Sequence, residues 1–426
     1  LTSEIIVMNK NGIALAADSA ATLLPSRKTY HTQNKIFSLS KHHPVGIMIH
    51  EKLRLNGIPW ETIVKMYRTQ HNHCSFDTVE AYLDHLIDFI SNCEALFDRE
   101  HGDLYWLCDI LCYLETLGLK IETTWHERRH NGEAQTVSLM QFGSQYIEQK
   151  IENLKRLHNA PQMSGKKIRD QLNTSLDNLS AVRVDQCFGL YPLRNEGRAQ
   201  IRELLFLLTI KNDFSLGYSG VVLAGFGEID IFPVVATAKL GGFYFGRVKY
   251  DLEPPVKISH HNQAQIIPYA STEMVSTFIK GVHPEYEAYS LTETHKMMEN
   301  LVNAVGHYLD IPETVANRTI FNRLIEDSFQ QYKDKLVHHV LSSHIQPVVD
   351  GIRFLPKDTL ASVAESLVNV TSFKTSVMPC ENFVGGDVNV ALISKGDGFI
   401  WIKRKDYFDP DKNLDFFDRD ISSFQP

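Results

Sequence analysis

The 426-residue sequence predicts an α+β fold whose strand blocks are separated by large helical insertions. Three observations lead there. Two short apolar runs joined by turn residues open the chain, similar runs return after residue 219 and after residue 384, and long stretches with helical spacing lie between.

Glu4 to Asn9 reads as a strand, with Ile5, Ile6, Val7 and Met8 apolar. Asn11-Gly12 predicts a tight hairpin, because both residues tolerate positive φ. Ile13 to Ala17 returns as the second strand and ends in Asp18-Ser19. Asn34 to Leu39 and Val45 to Ile49 read as a third and a fourth strand. Helical spacing then covers Trp60 to Gln70, Thr78 to Phe97, Leu104 to Leu117, Ser138 to Leu157 and Gly197 to Ile210, with Met163 to Lys167 as a loop. Ser219 to Gly227 leads as a strand into a glycine-containing turn, and Pro233 to Ala238 and Gly242 to Gly246 then read as successive antiparallel strands. A second helical excess runs from Leu291 to Val349, and a further helix starts near Asp358. Val384 to Ser394 and Phe399 to Lys403 form a last hairpin around the turn Lys395 to Gly398.

With 43% hydrophobic residues the chain can bury a large core. No apolar run is long enough to span a bilayer and no charged-then-apolar leader is visible, so the expectation is a cytoplasmic protein without a membrane partner. A net charge of −8 offers no basic surface for nucleic acid. The six cysteines lack Cys-x-x-Cys pairing and read as reduced, mostly buried residues.

Thr2 carries the chemistry of the amino end. A threonine at a free terminus has its own α-amine as general base, with a reference pKa of about 7.7–8.0. That requires loss of Leu1, which we read as standing for an initiator methionine from an alternative start codon. The hairpin brings Asp18 back toward the start of the first strand.

The spacing of Thr2, Gly12, an Ala-Ala-x-Asp-Ser-like segment at Asp18 and the Asn34-Lys35 pair resembles the catalytic β-subunits of proteasomes and their bacterial relatives, within the N-terminal nucleophile (Ntn) hydrolases. The resemblance covers somewhat under half of the chain and implies a four-layer αββα sandwich. It makes one domain of residues 1–426, with core blocks at about 2–70, 213–283 and 357–408. Residues 71–212 and 291–350 are then helical insertions. It also implies Thr2 as nucleophile, Lys35 as the cation that lowers the amine pKa, and Asp18 as the partner of that lysine.

Departures from the pattern concern the surroundings of the site. His50 stands where a glycine usually supplies the oxyanion N–H, and Ser271 approximates a supporting serine. Glu381 and Val384 occupy the places of a further Asp and Ser. The expected function is a threonine-type amidohydrolase acting on peptide or protein substrates, without a cofactor and as a homo-oligomer. The alternatives are a silent scaffold or partner-binding protein of the same fold and, ranked lower, a zinc hydrolase using His126, Glu127 and His130, and the sequence names no unfoldase partner. His126-Glu127-Arg128-Arg129-His130 matches the zinc-protease pattern His-Glu-x-x-His, but its surroundings read as a solvated charged segment.

Overall fold

The computed structural model describes residues 3–23, 28–30, 33–97, 99–130, 137–179, 181–188, 195–270, 272–312, 314–377 and 385–405. The chain divides into two compact units, one built from 1–34 with 257–426 and the other from 35–256. Both combine helices with an antiparallel sheet.

The first unit opens with β1 (Ser3–Asn9), β2 (Gly12–Asp18), β3 (Ala21–Leu23) and β4 (Lys28–Tyr30). Asn9 pairs with Gly12, so the turn residues are Lys10 and Asn11 rather than the expected Asn11-Gly12. Asn9 Oδ1 accepts the Asn11 N–H at 2.8 Å and closes the turn, and neither Asn11 nor Gly12 takes a positive φ. Gly12 is required for space instead: a Cβ there would lie 2.7 Å from the Ile393 carbonyl oxygen.

The second unit begins with β5 (Ile36–Ser38), β6 (Val45–Glu51), β7 (Arg54–Leu55) and β8 (Ile58–Pro59). Seven helices follow: α1 (Trp60–His71), α2 (Val79–Asn92), α3 (Arg99–His130), α4 (Leu139–Arg156), α5 (Lys166–Asn178), α6 (Ala181–Cys187) and α7 (Asn195–Ile210). A capping box starts α4, with Ser138 and Gln141 each bonding the other's backbone N–H. The strands β9 (Ser219–Gly225), β10 (Val234–Tyr244), β11 (Arg247–Leu252) and β12 (Val256–Lys257) come next. What the sequence divides into two strands, Pro233 to Ala238 and Gly242 to Gly246, is one strand. β10 absorbs an irregularity between Leu240 and Gly242 and continues.

The sheet of this unit runs β11-β10-β9-β6-β5. Val45, Ile47, Ile49, Val221 and Leu223 share a buried core with Trp60, Ile63, Tyr82 and Leu86 of α1 and α2. A second core joins α3, α4, α5 and α7 through Trp106, Ile110, Ile147, Leu172 and Leu204. The buried Lys249 ammonium donates to Leu208 O and Asp213 O and thereby ties the carboxyl end of α7 to β11.

The chain then completes the first unit with β13 (Ala264–Ala270), α8 (Glu273–Lys280), α9 (Pro284–Tyr308), α10 (Val315–Val340), a π-helical turn at Leu341–Ile345, α11 (Gln346–Arg353), α12 (Lys357–Val377), β14 (Val388–Ser394) and β15 (Gly398–Lys403). Its sheet runs β13-β1-β2-β14-β15. One face, with Ile5, Val7, Ala14, Ala16 and Val390, packs on Leu360, Ala364 and Val368 of α12. Ile6, Met8, Ile13 and Leu15 of the opposite face are fully buried as well. Strands buried on both faces read as unbroken apolar runs, which is why β1 and β2 show no polar alternation.

The cysteines depart from expectation. Cys108 and Cys112 are exposed on α3, and Cys74, Cys93 and Cys187 are only half-buried, while Cys380 lies outside the described residues. Among the described residues no helix is long and apolar enough to cross a membrane.

Candidate active site

Thr2 and Ser271 lie outside the described residues, as do Glu381 and Val384. Asp18 is described, fully buried, and bound by three segments of its own unit. Its Oδ1 accepts the Ser3 N–H at 2.9 Å, and its Oδ2 accepts those of Ala20 at 3.3 Å and Gly385 at 3.1 Å. Local registers explain the convergence. The two-residue turn pairs Glu4 with Ala17, which brings Asp18 level with Ser3. The pairing of Val388 with Asp18 brings the approach to β14 to the same point. Three backbone N–H donors thus satisfy the oxygens of this buried side chain.

Lys35 and His50 belong to the other unit. Lys35 directly precedes β5 and is fully buried, and its carbonyl accepts the Ile49 N–H at 2.8 Å. The strand pairing therefore sets Lys35 one residue from His50 across the ladder.

His50 is the last buried residue of β6, 6% exposed. Ile49 turns its N–H toward β5, so alternation directs the His50 N–H toward β9, where Gly220 stands opposite. One register row crosses the sheet from His50 through Gly220 to Lys239. Gly220 leaves space for the ring: a Cβ there would meet His50 Nε2 at 1.9 Å. Burial pushes the imidazole from its ordinary 6.5 down to about 4, with Glu253 opposing and Lys239 adding to the shift. His50 is consequently neutral at pH 7.

Around His50 the structure adds residues that the sequence reading missed. Tyr218 meets the imidazole edge-on with ring centroids 6.2 Å apart, and Lys239 pairs with Glu253 at 2.8 Å. Lys239 also lies 5.9 Å from the Tyr218 ring centroid. The available signal was a single lysine inside the apolar run Val234 to Leu240, a position that a buried strand gives to a charge only when a partner is near.

His126, Glu127 and His130 sit on the last turns of α3, and all three are exposed. The helix continues through Thr123-Thr124, well beyond the expected end at Leu117. Arg129 lies over the Trp125 ring and Arg128 over Phe142, so the segment is a solvated helix end packed through its arginines. Among the described residues no three His, Cys, Asp or Glu side chains are grouped to hold a metal ion. No protein-family model matches the chain, and no curated protein is significantly similar to it.

Proposed function

We propose that this chain is an N-terminal threonine hydrolase of amide bonds in peptides or proteins, with Thr2 as nucleophile once Leu1 is lost. One observation carries the reading: the buried Asp18 carboxylate binds the Ser3 N–H at 2.9 Å. That amide belongs to the peptide unit that joins Thr2 to Ser3, so the bond lies next in sequence to the proposed nucleophile. In the proposed reaction Thr2 Oγ1 attacks the amide carbonyl carbon. The freed α-amine takes the hydroxyl proton and returns it to the departing nitrogen. Water activated by the same amine then hydrolyses the ester and restores Thr2.

Lys35 enters the proposal as the cation that disfavours a second positive charge on the amine, and Asp18 as the group that orients the machinery. The same reading takes the fold as a proteasome-like αββα sandwich. Two antiparallel sheets, each with helices of its own unit on one face, support it. A second reading, a silent scaffold, is favoured by His50, whose N–H faces β9 at the position expected to supply the oxyanion donor.

Hydrolysis of a panel of peptide amides by protein that begins at Thr2 separates the two. The threonine reading expects turnover that falls about 10²–10⁴-fold in Thr2→Ala, the scale of a lost acid–base and nucleophilic group, and markedly in Lys35→Ala. A folded protein with a free Thr2 that cleaves none of the panel supports the scaffold.

A further inference from the structure

We infer that the exposed side of the α9–α10 hairpin is a dimer interface that takes a second copy of this chain. Two independent observations meet there. The first is a shortage of core. The two helices have 25 and 26 residues, yet only Gly306, Ile325 and Phe329 of them are buried. Helices of this length draw most of their stability from tertiary packing of one apolar face. What the pair does share is narrow: His295 meets the Phe329 ring at 4.8 Å and Glu326 at 3.0 Å, and Gly306 lies against Phe321.

The second observation is an apolar face that stays exposed among the described residues. Tyr286, Met297, Leu301 and Tyr308 of α9, with Ile320 and Leu324 of α10, are each more than half exposed. On α9 the spacings of eleven, four and seven residues draw one line along the helix. On α10 the pair at i and i+4 lies one residue ahead of the packing line Phe321, Ile325 and Phe329. Because the helices run antiparallel, both lines fall on the same side of the hairpin.

Area and charge select the occupant. At about 180 Å² for a large apolar side chain, these six residues expose on the order of 700 Å². That exceeds the few hundred Å² usual for a monomer and approaches the roughly 800 Å² per partner of a stable interface. The flanks carry both signs, with Glu293 paired to Lys296 on α9 and Arg323 to Asp327 on α10. An apolar face with mixed flanks is self-complementary under a two-fold axis, and two such hairpins complete a four-helix bundle. The inference stands apart from the threonine chemistry.

Sedimentation velocity on the full chain tests it, with the double variant Leu301→Glu/Leu324→Glu beside the wild type. We expect a dimer at micromolar concentration and at least an about 100-fold weaker association in the variant, because the dimer would bury four unpaired carboxylates. Hydrogen exchange of the wild type at two concentrations is the second readout, with 297–308 and 320–324 slowing as the concentration rises. It decides the matter even if the variant does not fold. A wild type that stays monomeric, a variant that keeps the dimer, or protection of both segments that ignores concentration overturns the inference. The last result points instead to cover from within one chain.

Discussion

Asp18 shows how much one side chain organises at the residue scale. Its two oxygens accept backbone N–H groups from the start of β1, from Ala20 and from the approach to β14. Asp18→Asn keeps the shape but turns an NH₂ group toward N–H donors. We expect a loss of about 1–3 kcal/mol in urea unfolding, the cost of buried donors left unsatisfied. An unchanged midpoint would show that this carboxylate does not hold the strand ends together. His50 makes a prediction in pH. Its folded value of about 4 lies below the ordinary 6.5, so between these limits the unfolded chain binds more protons than the folded one. The stabilisation is complete above pH 6.5 and is lost as the pH falls toward 4, amounting to about 3 kcal/mol. Acid titration of stability should be flatter in His50→Gln by that order, and an equal slope in both proteins would contradict the burial argument.

At the scale of elements, the contact between β6 and β9 depends on Gly220 lying under His50. Gly220→Ala should destabilise the protein by more than about 2 kcal/mol, with much of that cost removed in a His50→Ala background. A coupling of about 0.5–3 kcal/mol in the double-mutant cycle is the expected readout, and strict additivity would remove the proposed contact. The same elements show what the sequence makes legible. β1, β2, β6 and β9 were readable because their apolar runs are dense and bounded by turn residues. The turn itself was misread, since Gly12 answers to the Ile393 carbonyl, a partner almost the whole chain away. α5 went unread because Ile168, Leu172 and Leu176 are three apolar residues in a polar helix. The carboxyl half of α3 was missed because its apolar stripe thins after Ile121 while the helix continues to His130.

For the whole molecule, the division into two units was hidden for the same reason on a larger scale. β1 pairs with β13 through Ser3 and Ala270, and β2 with β14 through Asp18 and Val388, pairings with no local signature. The long middle returned by the sequence as one helical insertion is part of a unit with its own sheet and two buried cores. Asp18, Lys35 and His50 stand out in the sequence because a charge or an imidazole stands beside each apolar strand, and the structure finds all three buried. Their surroundings were not legible, because Lys239, Glu253 and Tyr218 reach His50 through sheet register rather than through sequence distance. Peptide mapping of the protein after treatment with a β-lactone or epoxyketone probe tests Thr2 as the nucleophile. A single adduct is expected on a chain that begins at Thr2, absent in Thr2→Ala and weaker in Lys35→Ala. A chain that retains Leu1, or an adduct that persists in Thr2→Ala, would contradict it.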